Sequence, residues 1–167
     1  MPFPRSQLNI ILCSKDPDWQ PTPIGAENLR TSLQAHGIST LTELDSQTQQ
    51  WVVGGFRRLH LQRHLHPSLV ANHQGGYRVN CRQCNALITG LFVKAIQAYR
   101  AGGSRELQCS DCGELQDLNA LIYRPHAAFV SFEVQLHDVQ SVELTAFAMD
   151  FFHQHIPEMQ LIFKRLG

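Results

Sequence analysis

A chain of 167 residues, 43% of them hydrophobic, has enough apolar material for one core, or one core with an insertion, and is not a disordered chain. Its 14 basic and 14 acidic side chains give a formal net charge of zero, so no overall field draws it to nucleic acid or an anionic membrane, and any polyanion site must be local. No apolar run approaches the roughly 18 residues needed to span a bilayer, and Leu8 to Cys13 is too short for a secretory signal, so a cytoplasmic location is expected.

The first element is a buried strand over Leu8 to Cys13, apolar and partly β-branched, closed by the turn-like Asp16-Pro17-Asp18. A helix follows with both ends marked. Thr22 can accept from an early helix N–H, Pro23 fits the first helical position, and Gly37 supplies a left-handed stop. The β-branched Ile38, Thr40 and Thr42 predict a second strand to Leu44. Trp51-Val52-Val53 suggests a buried turn of helix that Gly54-Gly55 breaks. Residues 56–66 fit either period: Leu59, Leu61 and Leu65 can line a strand face, and Leu61 and Leu65 can equally share a helix face. A short strand over Tyr77 to Asn80 then leads into the first cysteine pair.

A helix is predicted between the two cysteine pairs, with Asn85 as its cap and Leu87, Ile88, Leu91, Phe92, Ala95, Ile96 and Tyr99 as its apolar stripe. Gly102-Gly103 stops it. Gly90 inside this helix costs roughly 1 kcal/mol relative to Ala, which suggests close backbone packing there. Glu106 to Gln108 is a strand into the second pair. Val130, Phe132, Val134 and Leu136 alternate with Ser131, Glu133, Gln135 and His137, the pattern of a half-buried strand with a polar outward face. Ser141 is a candidate cap for the next helix, in which Leu144, Phe147, Ala148 and Phe151 recur at helical spacing. Phe152 is the aromatic most out of phase and so the one suggesting an interface. Met159 to Leu166 is the last strand. Cys13, among apolar neighbours, is expected to be an inert core thiol.

Cys81-Arg82-Gln83-Cys84 and Cys109-Ser110-Asp111-Cys112 are two C-x-x-C pairs, each able to aim two sulfurs at one ion. Together they supply the four ligands of a tetrahedral Zn²⁺, whereas a redox disulfide would need only one pair. A shell of four thiolates leaves no position for water or substrate, so the zinc is expected to be structural. The formal charge of such a centre makes Arg78, Arg82 and Arg105 candidate electrostatic partners of the sulfurs. Over about residues 77 to 116 the pattern resembles the zinc-ribbon class, the second knuckle more closely because Gly113 follows its last ligand, with a whole helix between the knuckles where a ribbon has a short hairpin. More loosely, the chain resembles uncharacterised bacterial proteins that combine two such pairs with a terminal β-α-β unit, a resemblance that implies no activity.

Strand, helix, strand at both ends of the chain predicts an α+β fold: a split β-α-β, ferredoxin-like sheet from residues 1–45 and 117–167, interrupted at 46–116 by a basic, zinc-ribbon-like insertion containing a helix. Charge follows this division. From Ser46 to Arg105 there are eight positive side chains and no acidic one. Within that segment Arg57, Arg58, His60, Arg63, His64, Arg78, Arg82, Arg100 and Arg105 are the candidate contacts for a partner or polyanion. His60, His64 and His66 also raise a second weak metal site, against the plainer reading of a solvated His/Arg face.

No phosphate-binding loop, G-x-S-x-G elbow or H-E-x-x-H pattern is present, and a non-catalytic reading follows. The expected function is a protein-interaction module, of inhibitor or immunity type, in which zinc braces a lobe that presents arginine and histidine to an acidic protein surface. The alternative is a nucleic-acid-binding zinc ribbon using residues 46–105. Two observations weigh against it: Lys plus Arg is 14 of 167 residues, low for a dedicated backbone binder, and the face of Ser131, Glu133, Gln135 and His137 lacks paired aromatics on which bases stack.

Overall fold

The computed structural model describes residues 6–39, 46–72 and 76–166, and shows a mixed α+β protein built on antiparallel sheets. The apolar run at the start forms β1 (Leu8–Ser14), followed by α1 (Pro23–Ala35), whose Thr22 Oγ1 accepts from Gly25 N at 3.0 Å. Gly37 takes φ 77° just beyond, as a helix stop requires. Ile38 is buried in the core but neither it nor Ser39 is in a strand, and positions 40–44 of the expected second strand lie outside the described residues.

The ambiguous stretch resolves as a strand, β2 (Arg58–Val70), paired with β7 (Ala128–His137). Its register shifts between Arg63 and Ser68, where Pro67 cannot donate to a ladder and Leu65 turns 90% exposed. After α3 (Ala146–His155), the chain ends in β8 (Met159–Arg165), and the large sheet has the order β2-β7-β1-β8. The helix α3 is capped by Thr145, whose Oγ1 accepts from Ala148 N, and not by Ser141; Ser141 Oγ accepts locally from Glu143 N instead. Thr145 prevails because it also anchors the preceding turn, donating to Gln50 O at 2.5 Å.

One face of this sheet, with Ile10, Leu12, Leu59, Phe132, Val134 and Leu136, packs against Leu29 and Leu33 of α1 and Phe151 and Phe152 of α3. Trp51 lies at the centre of that core with no exposure, close to Phe147, Phe151 and Phe152. Phe152 is therefore core, and the more exposed aromatic is Phe147 at 40%. The turn that delivers Trp51 is held by Thr48 Oγ1, which donates to Phe56 O and accepts from Phe56 N, both at 2.9 Å. Gly54 sits there at φ 78° with Gln140 Cβ 2.9 Å from where its own Cβ would be, so no larger residue fits.

The other face is not the solvated one the alternation implies. Ser131 and Glu133 are each 3% exposed. Val130 and Ala128 also leave the helix-covered face, joining Ile11, Cys13, Val70 and Ile162 in a separate cluster beyond the register shift. Cys13 is fully buried there, its thiol pushed up to about 12 by burial and by the neighbouring Glu133 carboxylate.

Beyond β2 the chain builds a second core. β3 (Arg78–Asn80) pairs with β6 (Ile122–Arg124), and β4 (Glu106–Gln108) pairs with β5 (Leu115–Asp117), three residues in each strand. Between them runs α2 (Thr89–Arg100), burying Phe92 and Ile96. Val79, Ile88, Leu107, Leu118, Tyr123 and Phe129 complete this core, so β7 serves both units: Phe132 faces the first and Phe129 the second. The helix α2 starts later than expected, with Ile88 at its N-cap and no side-chain bond, because Asn85 is used elsewhere. Gly90 has open space around it, so close packing does not explain it.

Candidate metal centre

Each cysteine pair sits in a tight turn built the same way. Asn85 N donates to Cys81 O at 2.9 Å and Gly113 N to Cys109 O at 3.0 Å, while Cys81 N reaches Ala86 O and Cys109 N reaches Glu114 O, both at 2.9 Å. The residue after the second cysteine must then turn left-handed: Gly113 has φ 73° and Asn85 φ 60°. Asparagine is among the few side chains that accept this conformation, so Asn85 does in the first knuckle what glycine does in the second.

The strand pairs β3–β6 and β4–β5 carry the two knuckles to one place. Cys81 and Cys109, the first of each pair, lie inside the second core at 0% and 1% exposure, while Cys84 and Cys112 face outward. All four Sγ atoms lie within 4.8 Å of one another. Cys81 Sγ is 3.7 Å from Cys112 Sγ, and Cys84 Sγ is 3.7 Å from Cys109 Sγ. These separations are far beyond a disulfide's roughly 2.05 Å. They match the edge of a tetrahedron with about 2.3 Å from centre to sulfur, which is roughly 3.8 Å. The four cysteines thus fit a single metal ion.

The local field prepares the first ligand. Burial opposes ionisation of Cys81, but the N–H groups of Cys84 and Gln83 and the amide of Gln116 are directed at its sulfur and bring the thiol down from 9.0 to about 6. Cys84 is pushed the other way, to about 12: the Ala86 N–H favours its thiolate, but burial and the three neighbouring sulfurs outweigh it. Four thiolates this close together repel one another, and a dication at their centre would compensate that repulsion.

Gln116 on β5 went unnoticed in the sequence. Its Nε2 donates to Cys81 Sγ at 2.8 Å and its Oε1 accepts from Arg82 N at 2.9 Å, so one buried amide locks the first knuckle to the strand leaving the second. Nothing around position 116 signals this, because the contact spans more than 30 residues. Groups that orient metal ligands in this way are worth roughly 10 to 100-fold in metal affinity. Gln116→Ala should accordingly weaken metal binding by about that factor, measured by competition with a chromogenic chelator, while Gln97→Ala on the exposed side of α2 should not.

Of the arginines expected beside sulfur, Arg105 is committed to carboxylates. Arg105 Nε lies 3.1 Å from Asp117 Oδ2 and its guanidinium 3.5 Å from Asp18 Oδ1, which raises its pKa against its burial and ties the knuckle unit to the β1–α1 loop. Arg82 contributes a backbone N–H, with an exposed side chain, and Arg78 is exposed on β3. Among the other basic candidates, Arg57 is paired with Asp138 at 2.6 Å and Arg63 donates to Pro21 O. His64 meets Glu133 at 2.9 Å and His60 meets Gln62 at 3.3 Å. Arg58 and Arg100 are exposed. The histidine stretch lacks a local acid, and the fold supplies one from β7. Among the described residues the four cysteines are the one group of three or more metal-ligating side chains brought together.

Comparison of the chain with protein-family models, with curated proteins and with solved structures gave no match.

Proposed function

We propose that this protein is a non-catalytic interaction module in which Cys81, Cys84, Cys109 and Cys112 hold a structural Zn²⁺ and the zinc-braced unit presents arginines to an acidic protein surface, as an inhibitor or immunity-type partner would. Thiolate softness and the compact tetrahedral spacing favour zinc, and a reducing, cytoplasmic compartment would keep the thiols available. Two crossed β-α-β units account for the order β2-β7-β1-β8, so we take the large sheet as ferredoxin-like. In this reading β2 belongs with the sheet unit, although its residues fall within the 46–116 segment, and the zinc unit extends to the Leu118–Phe129 region. Among the described residues no helix is long and apolar enough to cross a membrane.

The observation that carries an acidic partner is a pair of like charges. Arg78 on β3 lies directly opposite Arg124 on β6, both are exposed, and among the described residues neither has a carboxylate partner. Like charges directly opposite on a two-stranded ladder are destabilising, so the free protein gains nothing from the arrangement. An acidic partner would relieve it, and guanidinium groups bind carboxylates in a two-pronged geometry that a lysine cannot match. Arg124 lies in the acidic C-terminal part of the sequence, outside the basic segment from Ser46 to Arg105.

Arg124→Glu should therefore raise the stability of the free protein by a few tenths of a kcal/mol (~0.5) in urea unfolding, while abolishing binding to an acidic target. Fluorescence anisotropy with a glutamate-rich peptide, single-stranded RNA and duplex DNA at two salt concentrations tests the reading. Peptide binding that Arg124→Glu removes supports it. RNA or DNA binding that falls steeply with salt, with none to the peptide, would replace it by the nucleic-acid reading.

A further inference from the structure

The face of the large sheet opposite the helices carries a hydrogen-bonded polar chain that the zinc unit does not use. Asn9 Nδ2 donates to His137 Nδ1 at 3.2 Å, which leaves the proton of a neutral imidazole on Nε2, and that nitrogen donates to Gln135 Oε1 at 3.0 Å. Gln135 Nε2 donates to Glu133 Oε1, and Glu133 Oε2 accepts from His64 Nε2 at 2.9 Å. Asn9 is itself fixed by Asp138 N, at 3.2 Å. A cavity of about 320 Å³ opens over this chain, lined also by Gln62 and Lys164 and by the apolar side chains of Ile11, Leu69 and Val70. That size suits a small molecule.

Strand register gives the face a polarity. At one end Arg58 is opposite His137 and Asn9 is opposite Lys164, so two cations flank a neutral imidazole and an amide. Among the described residues neither Arg58 nor Lys164 has an acidic partner, since Asp138 is taken by Arg57. The imidazole registers the positive field: desolvation, then Arg58 and His60, with a smaller part from Arg57, hold His137 down to about 4 against the pull of Asp138. At the other end, four residues and roughly 13 Å along the strands, Gln62 is opposite Glu133. There the carboxylate is covered by the Gln135 amide and the His64 imidazole.

We propose that this face binds a small molecule with an anionic head, phosphate or carboxylate, seated beside Lys164 over His137 and Asn9, with Arg58 adding its charge from the edge strand outside the cavity's lining, and a hydrogen-bonding body of about nucleoside size lying along Gln135, Gln62 and His64. Glu133 is a positioning residue. Buried beneath the cavity, it holds Gln135 and His64 in place and does not meet the anion. The site is independent of the zinc and of the arginines at Arg78 and Arg124.

The test is an NMR titration of the zinc-loaded protein with inorganic phosphate, citrate, AMP and adenosine, following the side-chain amides of Asn9, Gln62 and Gln135 and the imidazoles of His64 and His137. AMP is expected to shift signals at both ends of the face. Phosphate and citrate are expected to shift only the Asn9 and His137 end and to raise the His137 pKa, with phosphate binding roughly tenfold more weakly than AMP. Adenosine should likewise bind roughly tenfold more weakly than AMP. Lys164→Ala should weaken AMP and phosphate by about tenfold, and Arg58→Ala by roughly threefold, with zinc stoichiometry unchanged, which separates failure here from failure of the zinc reading. No shift with any of the three anions at millimolar concentration would overturn the proposal. So would AMP binding that survives both substitutions together, or equal affinity for AMP and phosphate.

Discussion

Cys109→Ser should leave the protein without stoichiometric metal and should unfold the unit around α2 while the large sheet stays folded. Cys109 is 1% exposed, so the substitution removes a ligand from the inner, core-facing side of the site. The strands that carry the knuckles are too short to hold themselves: β3–β6 and β4–β5 have three paired residues each. Binding a structural zinc supplies on the order of 10 kcal/mol of folding free energy in small domains, more than any other single contribution available to such a unit. Hydrogen exchange is the direct readout. Amides of Phe92, Ile96 and Val79 should lose protection, and those of Ile10 to Cys13, paired with β7 and β8, should keep most of theirs. Chelation of the unmodified protein should give the same pattern. Uniform protection in the metal-free protein would show that the second core stands on apolar packing alone.

Trp51→Ala should produce the complementary result, a loss of about 3–5 kcal/mol from the sheet unit with one zinc still bound. Trp51 is fully buried, with ring centroids 4.9 Å from both Phe147 and Phe151 and 5.6 Å from Phe152. Removing it opens a cavity that α3 and the sheet cannot both collapse into. Among the described residues its buried Nε1 has no hydrogen-bond partner, however, so part of what the indole contributes is offset in the native state. Trp51→Phe deletes that donor and keeps most of the apolar contact, and should cost no more than about 1 kcal/mol in urea unfolding. Equal losses for the two substitutions would mean that the indole nitrogen finds a partner in solution.

The features legible in the sequence were those with a local physical signature. The cysteine spacing anticipated the four-sulfur cluster, and the cap, proline and glycine around α1 marked its ends. What stayed hidden depended on partners distant in the chain. The type of β2 could not be read because its leucines satisfy two periods, and the register shift around Pro67 breaks the alternation that would have decided it. Asn85 looked like a helix cap because asparagine suits caps and left-handed turns alike, and the knuckle claims it first. Ser141 is the cap the sequence suggests, and Thr145 takes that place because the turn before α3 supplies Gln50 O for its hydroxyl. The polar row of β7 looked solvated because nothing local shows that His64 from β2 and Asn9 from β1 meet it. Gln116 and Arg124 had no signal at all, since one matters through a knuckle more than 30 residues away and the other through its opposite strand.

X-ray absorption at the metal edge, with elemental analysis of the purified protein, bears most directly on the central claim. The expected result is one zinc per chain in a shell of four sulfurs at about 2.3 Å, with no nitrogen or oxygen neighbour. Absence of stoichiometric metal, a mixed shell containing water or histidine, or a disulfide joining any two of the four cysteines would contradict it.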